Sequence, residues 1–272
     1  MYITNLNKKE IEEYLKKGKR LDGRKPFEFR EIVIEGGVSK NAEGSARVKV
    51  GETEVIAGVK MEVAEPYPDH QDEGTLMTAI ELLPLASSRF EYGPPRIEAI
   101  ETARVIDRGI RESGFLEFKK LCIKEGEKVF NIFVDLVVIN DDGNLLDAGN
   151  IAAVAALKLA KMPVYDEEKG RIKYGEFTKK ELPLSDKIPL STTFYKVGEK
   201  ILVDPTREEQ EPSDGRITFT VTGGKEPVIN AMQKGEEQTF SAEEIEEMVK
   251  ELEKIFKEQS AKISKQIDKL GK

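Results

Sequence analysis

Few side chains in this sequence could carry chemistry, and their types and spacing narrow what that chemistry is. His70 is the only histidine, so Ser-His-Asp, Cys-His and multi-histidine metal sites cannot be built within the chain. It lies in the acidic run Asp69-His70-Gln71-Asp72-Glu73, where a surface role is the simplest reading. Cys122, the single cysteine, sits in the apolar run Leu121-Cys122-Ile123 and reads as a small core hydrophobe. An intrachain disulfide and a cysteine-ligated zinc are both excluded. Walker A, dinucleotide GxGxxG and EF-hand patterns are absent. Phosphate could therefore be handled in two kinds of place, an arginine-bearing helix face or a helix N-terminus.

The arginine face is the better candidate. The run from Arg96 to Ser113 reads as a helix with Gly114 as its stop. On it Arg104, Arg108 and Arg111 fall within an arc of about 60°, opposite Ala103, Ile106 and Ile110, which would face the core. Their axial spacing, roughly 6 Å and then roughly 4.5 Å, suits successive phosphates of a single strand. The competing reading is an ion-paired, solvated face, because Asp107 precedes Arg111 by four residues and Glu112 follows Arg108 by four. Spacing alone favours ion pairing. Arginine at all three positions, in a lysine-rich protein, favours phosphate, where a planar fork of donors matters. The second place is the turn Asp141-Asp142-Gly143-Asn144, which enters a helix at Leu145. Asp141, Asp142 and Asp147 crowd it with carboxylates that would repel a dianion, so the turn reads as structural capping.

These residues need a scaffold, and the composition supplies one. The chain has 272 residues, 39% of them hydrophobic, with 43 Lys+Arg against 51 Asp+Glu and a formal net charge of -8. That length buries enough surface to need no metal or disulfide staple. The negative balance argues against a whole-surface nucleic-acid footprint, leaving a local basic stripe. No window is apolar enough to span a membrane, and the first twenty residues lack the apolar region of a signal peptide, so a cytoplasmic location is expected.

Along the chain, Leu6, Ile11, Tyr14 and Leu15 mark a short amphipathic helix, with Asn5 or Asn7 as cap and Gly18 as terminator. An extended region follows from Phe27 to Ile34. Residues 46–63 alternate with period two about Gly51-Glu52-Thr53, the pattern of an antiparallel hairpin, and Leu76 to Leu85 is again extended. Val129 to Ile139 is apolar on nearly every residue, as expected of a central strand covered on both faces. An alanine-rich helix then runs from Leu145 to about Lys161. Residues 163–183 read as charged turn material. Strands are expected near Ser191 to Val197, Lys200 to Val203 and Arg216 to Thr222, the last two pairing across the acidic loop Asp204 to Gly215. Glu208-Glu209-Gln210-Glu211 within that loop reads as solvated. A helix from Ala242 to about Lys265 closes the chain. Strands followed by helices, twice over, give an α+β class with a pseudo-duplicated plan, although the halves are too dissimilar to count as a repeat.

Three stretches carry a family resemblance. Arg20-Leu21-Asp22-Gly23-Arg24, the hairpin run Gly44 to Val55 and Val203-Asp204-Pro205-Thr206 resemble the RNase PH family, in order, over about residues 20–255. The last of these stretches, together with Glu101 to Arg108 and the helical extensions at both ends, resembles the non-catalytic ring subunit of the archaeal exosome. The resemblance implies two βαβα-type halves with additional N- and C-terminal helices. The expected segments are 1–25 for the N-terminal helix and turn, 26–165 for the first domain, 166–188 for a linker and 189–272 for the second domain with its C-terminal helix.

It also implies a function. Catalytic members carry Gly-Ser-Arg at the start of the central helix, where the attacking phosphate is held, and this chain has Gly143-Asn144-Leu145. They begin their RNA-binding helix with twin arginines, and this chain has Ile97 and Glu98, with only Arg96 nearby. Their general-acid Asp has a counterpart in Asp204, here followed by Pro205. The expectation is a subunit with no catalytic residues and no cofactor of its own, in a complex that degrades RNA from its 3′ end using phosphate. Inorganic phosphate would sit in the partner's active site. Arg104, Arg108 and Arg111 would hold single-stranded RNA. The implied partners are a catalytic RNase PH-like exosome subunit in an alternating hexameric ring, RNA-binding cap proteins and RNA, with no membrane. The alternatives are a self-sufficient homo-hexameric phosphorolytic enzyme and a ring scaffold that does not touch RNA.

Overall fold

The computed structural model describes residues 5–223 and 226–271. In chain order the elements are α1 (Asn5–Lys16), β1 (Ile32–Gly36), β2 (Gly44–Val50), β3 (Thr53–Ala64), β4 (Thr75–Leu82), α2 (Ile97–Arg111), β5 (Cys122–Lys124), β6 (Lys128–Asn140) and α3 (Leu145–Leu159). They continue with β7 (Lys161–Asp166), β8 (Arg171–Glu181), β9 (Pro189–Val197), β10 (Lys200–Val203), the single turn α4 (Arg207–Gln210), β11 (Gly215–Thr222), β12 (Val228–Gly235) and α5 (Ala242–Leu270). A short 3₁₀ turn, Phe118–Leu121, precedes β5. The side chains of Leu6, Asn5 and Asn7 lie outside the described residues.

The first sheet has the order β1-β2-β3-β6-β4, with β4 parallel to β6, the other pairs antiparallel, and β5 beside β6. The second is antiparallel in the order β10-β9-β11-β12. Helices α2 and α3 lie between the two sheets. α3 touches β2 and β3 of the first and β9 of the second, and every residue from Leu145 to Leu157 is buried. Its alanines make this possible, since small side chains let a helix sit close to two sheets at once. α2 closes on the second sheet through Gly109, where an added Cβ would lie 2.6 Å from Thr220 Oγ1. α5 covers the far side of the second sheet with Met248, Leu252, Ile255 and Phe256, then ties down β1 through Gln266, which accepts from the Ile34 N–H and donates to the Ile32 carbonyl.

The strands and helices foreseen from periodicity are present, with four corrections. The expected linker 166–188 holds strand β8, paired with β7; it is largely charged because it is an exposed hairpin arm. β10 and β11 do not pair with each other, because both flank β9. β12 is an additional edge strand. Finally, β6 is covered on both faces only at its start: Ile132, Val134, Leu136 and Val138 are buried under the helices, while on the other face Val129 and Asn131 are buried but Phe133, Asp135 and Val137 are wholly or partly exposed. Among the described residues no helix is long and apolar enough to cross a membrane.

Candidate functional site

Pro94 and Pro95 set an extended entry to α2, and Arg96 caps it with φ -83° and ψ 170°. The buried face carries Ala99, Thr102, Ala103, Val105, Ile106, Gly109 and Ile110. Arg104, Arg108 and Arg111 are on the exposed face, so the helical register inferred from spacing holds. They line a groove of about 660 Å³ between β4 and the β11–β12 pair, with Thr78, Thr218 and Gln233 on its walls.

The three arginines are not equivalent. Arg111 donates from Nε to Asp107 Oδ2 at 3.0 Å and from Nη2 to Asp107 Oδ1 at 3.1 Å. Its Nη2 also donates to the Leu76 carbonyl at 2.6 Å, and its guanidinium lies 5.7 Å from the centre of the Phe118 ring. It thus staples α2 to the edge strand β4. Arg104 and Arg108 make no ion pair or side-chain hydrogen bond among the described residues, and the Arg108–Glu112 pair allowed by spacing does not form. Two unpaired guanidiniums in a groove keep their full capacity for phosphate oxygens.

The turn before α3 is the opposite case, because its backbone N–H groups are spent. The Asp142 N–H donates to Thr53 Oγ1 (3.1 Å), the Gly143 N–H to Asp141 Oδ1 (3.2 Å) and the Asn144 N–H to Gln210 Oε1 (2.7 Å). Gly143 has φ +86°, and a Cβ there would sit 2.7 Å from the Pro205 carbonyl, so the Asp204-Pro205-Thr206 loop is closed down on the turn. Asp204 is fully buried and accepts from the Arg30 N–H (2.7 Å), Arg30 Nε (3.0 Å), Arg30 Nη2 (2.8 Å), Arg24 Nη1 (3.1 Å) and Asn144 Nδ2 (2.9 Å). Burial on its own would raise its pKa, but the Arg30 bonds and charge outweigh burial and hold the carboxyl below its usual value. An ionised, ion-paired Asp204 has no proton to give at neutral pH, which a general acid must have.

Asp147 has the other protonation preference. It is buried between α3 and β9, where Thr193 donates its N–H to Oδ2 (3.0 Å) and its hydroxyl to Oδ1 (2.7 Å), while Asn144 Nδ2 donates to Oδ2 (3.1 Å). Burial pushes its carboxyl from 3.8 up to about 7, with Asp204 adding to the rise and the hydrogen bonds opposing it. A carboxyl whose pKa is raised by folding binds more protons folded than unfolded, so it costs stability as pH rises from about 4 to about 7. In Asp147→Asn an amide oxygen at Oδ2 and an amide nitrogen at Oδ1 satisfy the same partners. Its stability advantage over the parent will grow between pH 5 and pH 8 in urea unfolding. A difference that stays constant over that range would exclude a neutral Asp147.

Several of these residues carried no sequence signal. Glu209 and Gln210, read as solvated, are the reverse: Glu209 is fully buried against Arg20, and Gln210 caps Asn144. The cause is the short helix α4, whose Thr206–Glu209 capping box turns both side chains inward. Arg30 and Thr53 complete the cluster, each from an otherwise ordinary extended segment. His70 is exposed beside Glu73 at 3.3 Å, as read. Cys122 is half-buried rather than fully in the core.

Both halves of this geometry have relatives. Residues 28–163 match the model of domain 1 of the 3′ exoribonuclease family (RNase PH), and residues 187–251 match that of domain 2. The chain is 43% identical over 248 residues to "Exosome complex component Rrp42" of Methanocella arvoryzae, covering 91% of this chain and 92% of that protein. It is 48% identical over 234 residues to the protein of the same name from Thermococcus onnurineus, covering 85% and 84%. A chain of the solved structure described as "Archaeoglobus fulgidus exosome with RNA bound to the active site" superposes with TM-score 0.83 at 40% identity, over 94% of this chain and 98% of that one. With the two domain matches in sequence order and relatives this similar along nearly its whole length, the chain belongs to the RNase PH family of 3′ exoribonucleases.

Proposed function

We propose that this chain is a non-catalytic ring subunit of an archaeal exosome, which grips single-stranded RNA beside the active site of a catalytic RNase PH-like neighbour. The observation that carries this reading is the contrast within one molecule: Arg104 and Arg108 face a groove unpaired, while the N–H groups of Asp142, Gly143 and Asn144 are consumed by Thr53, Asp141 and Gln210. Phosphorolysis needs a phosphate held in line with the terminal linkage. A turn filled by its own side chains, with Asp204 ionised above it, offers no such place. Inorganic phosphate then belongs to the partner's active site, and this chain needs no cofactor of its own.

Its contribution is geometric and electrostatic. Guanidiniums on the groove wall hold the backbone while the neighbour does the chemistry, and phosphate contacts carry no base information, so RNA is held without regard to sequence. A cytoplasmic ring of alternating subunits, with cap proteins delivering RNA, follows from the same reading. The names of the relatives and the fold match support it. The self-sufficient enzyme finds no supporting feature at Gly143 to Leu145.

The test is release of nucleoside diphosphates from end-labelled single-stranded RNA in phosphate buffer. The expected result is no release by the chain alone, and release by a mixture with a catalytic-type subunit that exceeds that subunit's own. Turnover by this chain alone would overturn the reading in favour of the homo-hexameric enzyme.

A further inference from the structure

Two carboxylates line the arginine groove. Glu101 is taken up by Arg216 of β11, at 2.8 Å. Asp107 sits among the three arginines of α2, three residues after Arg104, one before Arg108 and four before Arg111. Among the described residues it pairs with Arg111 alone. Both of its oxygens accept from one edge of that guanidinium, Oδ2 from Nε at 3.0 Å and Oδ1 from Nη2 at 3.1 Å. This is the two-pronged geometry in which an arginine also takes a phosphate.

The surroundings fix the pair in place. Thr78 of β4 donates its hydroxyl to Asp107 Oδ1 at 3.4 Å, and the Leu76 carbonyl and the Phe118 ring hold the Arg111 guanidinium from the other side. The pair still opens on the groove, with the Arg111 side chain 41% exposed and that of Asp107 22%. An exposed ion pair at this helical spacing adds little to the stability of the fold. Its larger effect is on an anion entering the groove, which meets two free guanidiniums and a third whose fork is already filled.

We infer that Asp107 stands in for an RNA phosphate on Arg111 and so sets the strength of the RNA grip, limiting it to Arg104 and Arg108. It is a positioning residue that acts through Arg111 and touches no RNA itself. This inference rests on the RNA-gripping reading above. A strand degraded from its 3′ end must advance by one nucleotide after each cleavage, and every phosphate clamp has to open before it moves. A third arginine closed on the backbone would add one more contact to break at each step, and Asp107 keeps that arginine off the strand.

The test is a salt series of titrations of a labelled single-stranded oligonucleotide with the ring assembled from this chain and a catalytic-type RNase PH-like subunit. Asp107→Ala should tighten binding by about fivefold to tenfold at low salt and steepen the slope of log affinity against log salt by up to about 0.7, the share of one further phosphate contact on a single strand. The variant carrying both Asp107→Ala and Arg111→Ala separates release of Arg111 from simple loss of a repelling charge. It should return to the affinity and slope of Arg111→Ala alone. A double variant that keeps the whole gain assigns that gain to charge repulsion and overturns the inference, as does D107A with the parent's slope. Asp107→Asn keeps the shape of the side chain and removes its charge; it should steepen the slope by less, and it decides the matter if D107A does not assemble. Loss of binding on removing Arg104 and Arg108, with D107A and D107N both unchanged, overturns this inference and leaves the RNA reading standing. A ring whose RNA affinity does not depend on Arg104 and Arg108 overturns both.

Discussion

Replacing Arg104 and Arg108 together by alanine will lower the affinity of the assembled ring for single-stranded RNA by about tenfold or more and flatten its dependence on salt. Each arginine that contacts a phosphate releases counter-ions, so losing one lowers the slope of log affinity against log salt by about 0.7 for a single strand, and losing both by about 1.4. The loss should be uniform across RNA sequences. Arg111 is the internal control. Its guanidinium is already engaged by Asp107 and the Leu76 carbonyl, so Arg111→Ala should change the slope less and cost about 1 kcal/mol of stability through the lost staple. Fluorescence anisotropy of a labelled oligonucleotide over a salt series measures all three. A double variant with the parental slope, or an Arg111 variant with the larger effect, would return the groove to the ion-paired reading.

The arginine helix was legible because a period of 3.6 on one amphipathic helix carries its own geometry: the buried positions Ala103, Ile106 and Ile110 fix where Arg104 and Arg108 point. The β2–β3 hairpin was legible for the same reason, since alternation from Ala46 to Val63 and the Gly51 turn are local signals. What failed was of two kinds. β8 and β12 carry little apolar alternation, because one is an exposed hairpin arm and the other an exposed edge, and periodicity reports burial, not strand pairing. β6 failed in the opposite sense. Its sequence is that of a strand covered twice along its length, and the chain covers the second face only at Val129 and Asn131.

The other kind of failure is distance along the chain. The Asp204 carboxylate meets Arg30 across 174 residues, and Asn144 meets Gln210 across 66. No window of sequence contains such a pair. The resemblance pointed to the right segments, residues 20–24 and 203–206, without revealing that the first is bonded to the second. Only the fold brings Arg20 and Arg24 to the backbone of Val203 and Asp204.

That contact carries the largest stability effect expected in the molecule. Arg20 is buried and spends its donors on Glu209, on the Val203 carbonyl at 2.8 Å and on the Asp204 carbonyl at 2.8 Å. Arg20→Ala leaves the Glu209 carboxylate buried without its charged partner, the Val203 carbonyl without the guanidinium and the Asp204 carbonyl with Arg24 alone, at a cost of about 3–5 kcal/mol in urea unfolding. A cost below about 1 kcal/mol would mean that water or a rearranged neighbour can replace the guanidinium. The double variant Arg20→Met with Glu209→Met separates charge from packing. Two apolar side chains of similar volume remove the stranded charge, so it should recover much of the loss while the Val203 carbonyl lacks the guanidinium and the Asp204 carbonyl keeps only Arg24. It is also the variant in which the loop over Gly143 loses one of its three arginine clamps while the rest of the chain remains folded. Restored stability with faster amide exchange confined to residues 203–210 is the expected signature. Equal recovery in stability with unchanged exchange would assign the closure of that loop to Arg24 and Arg30 alone.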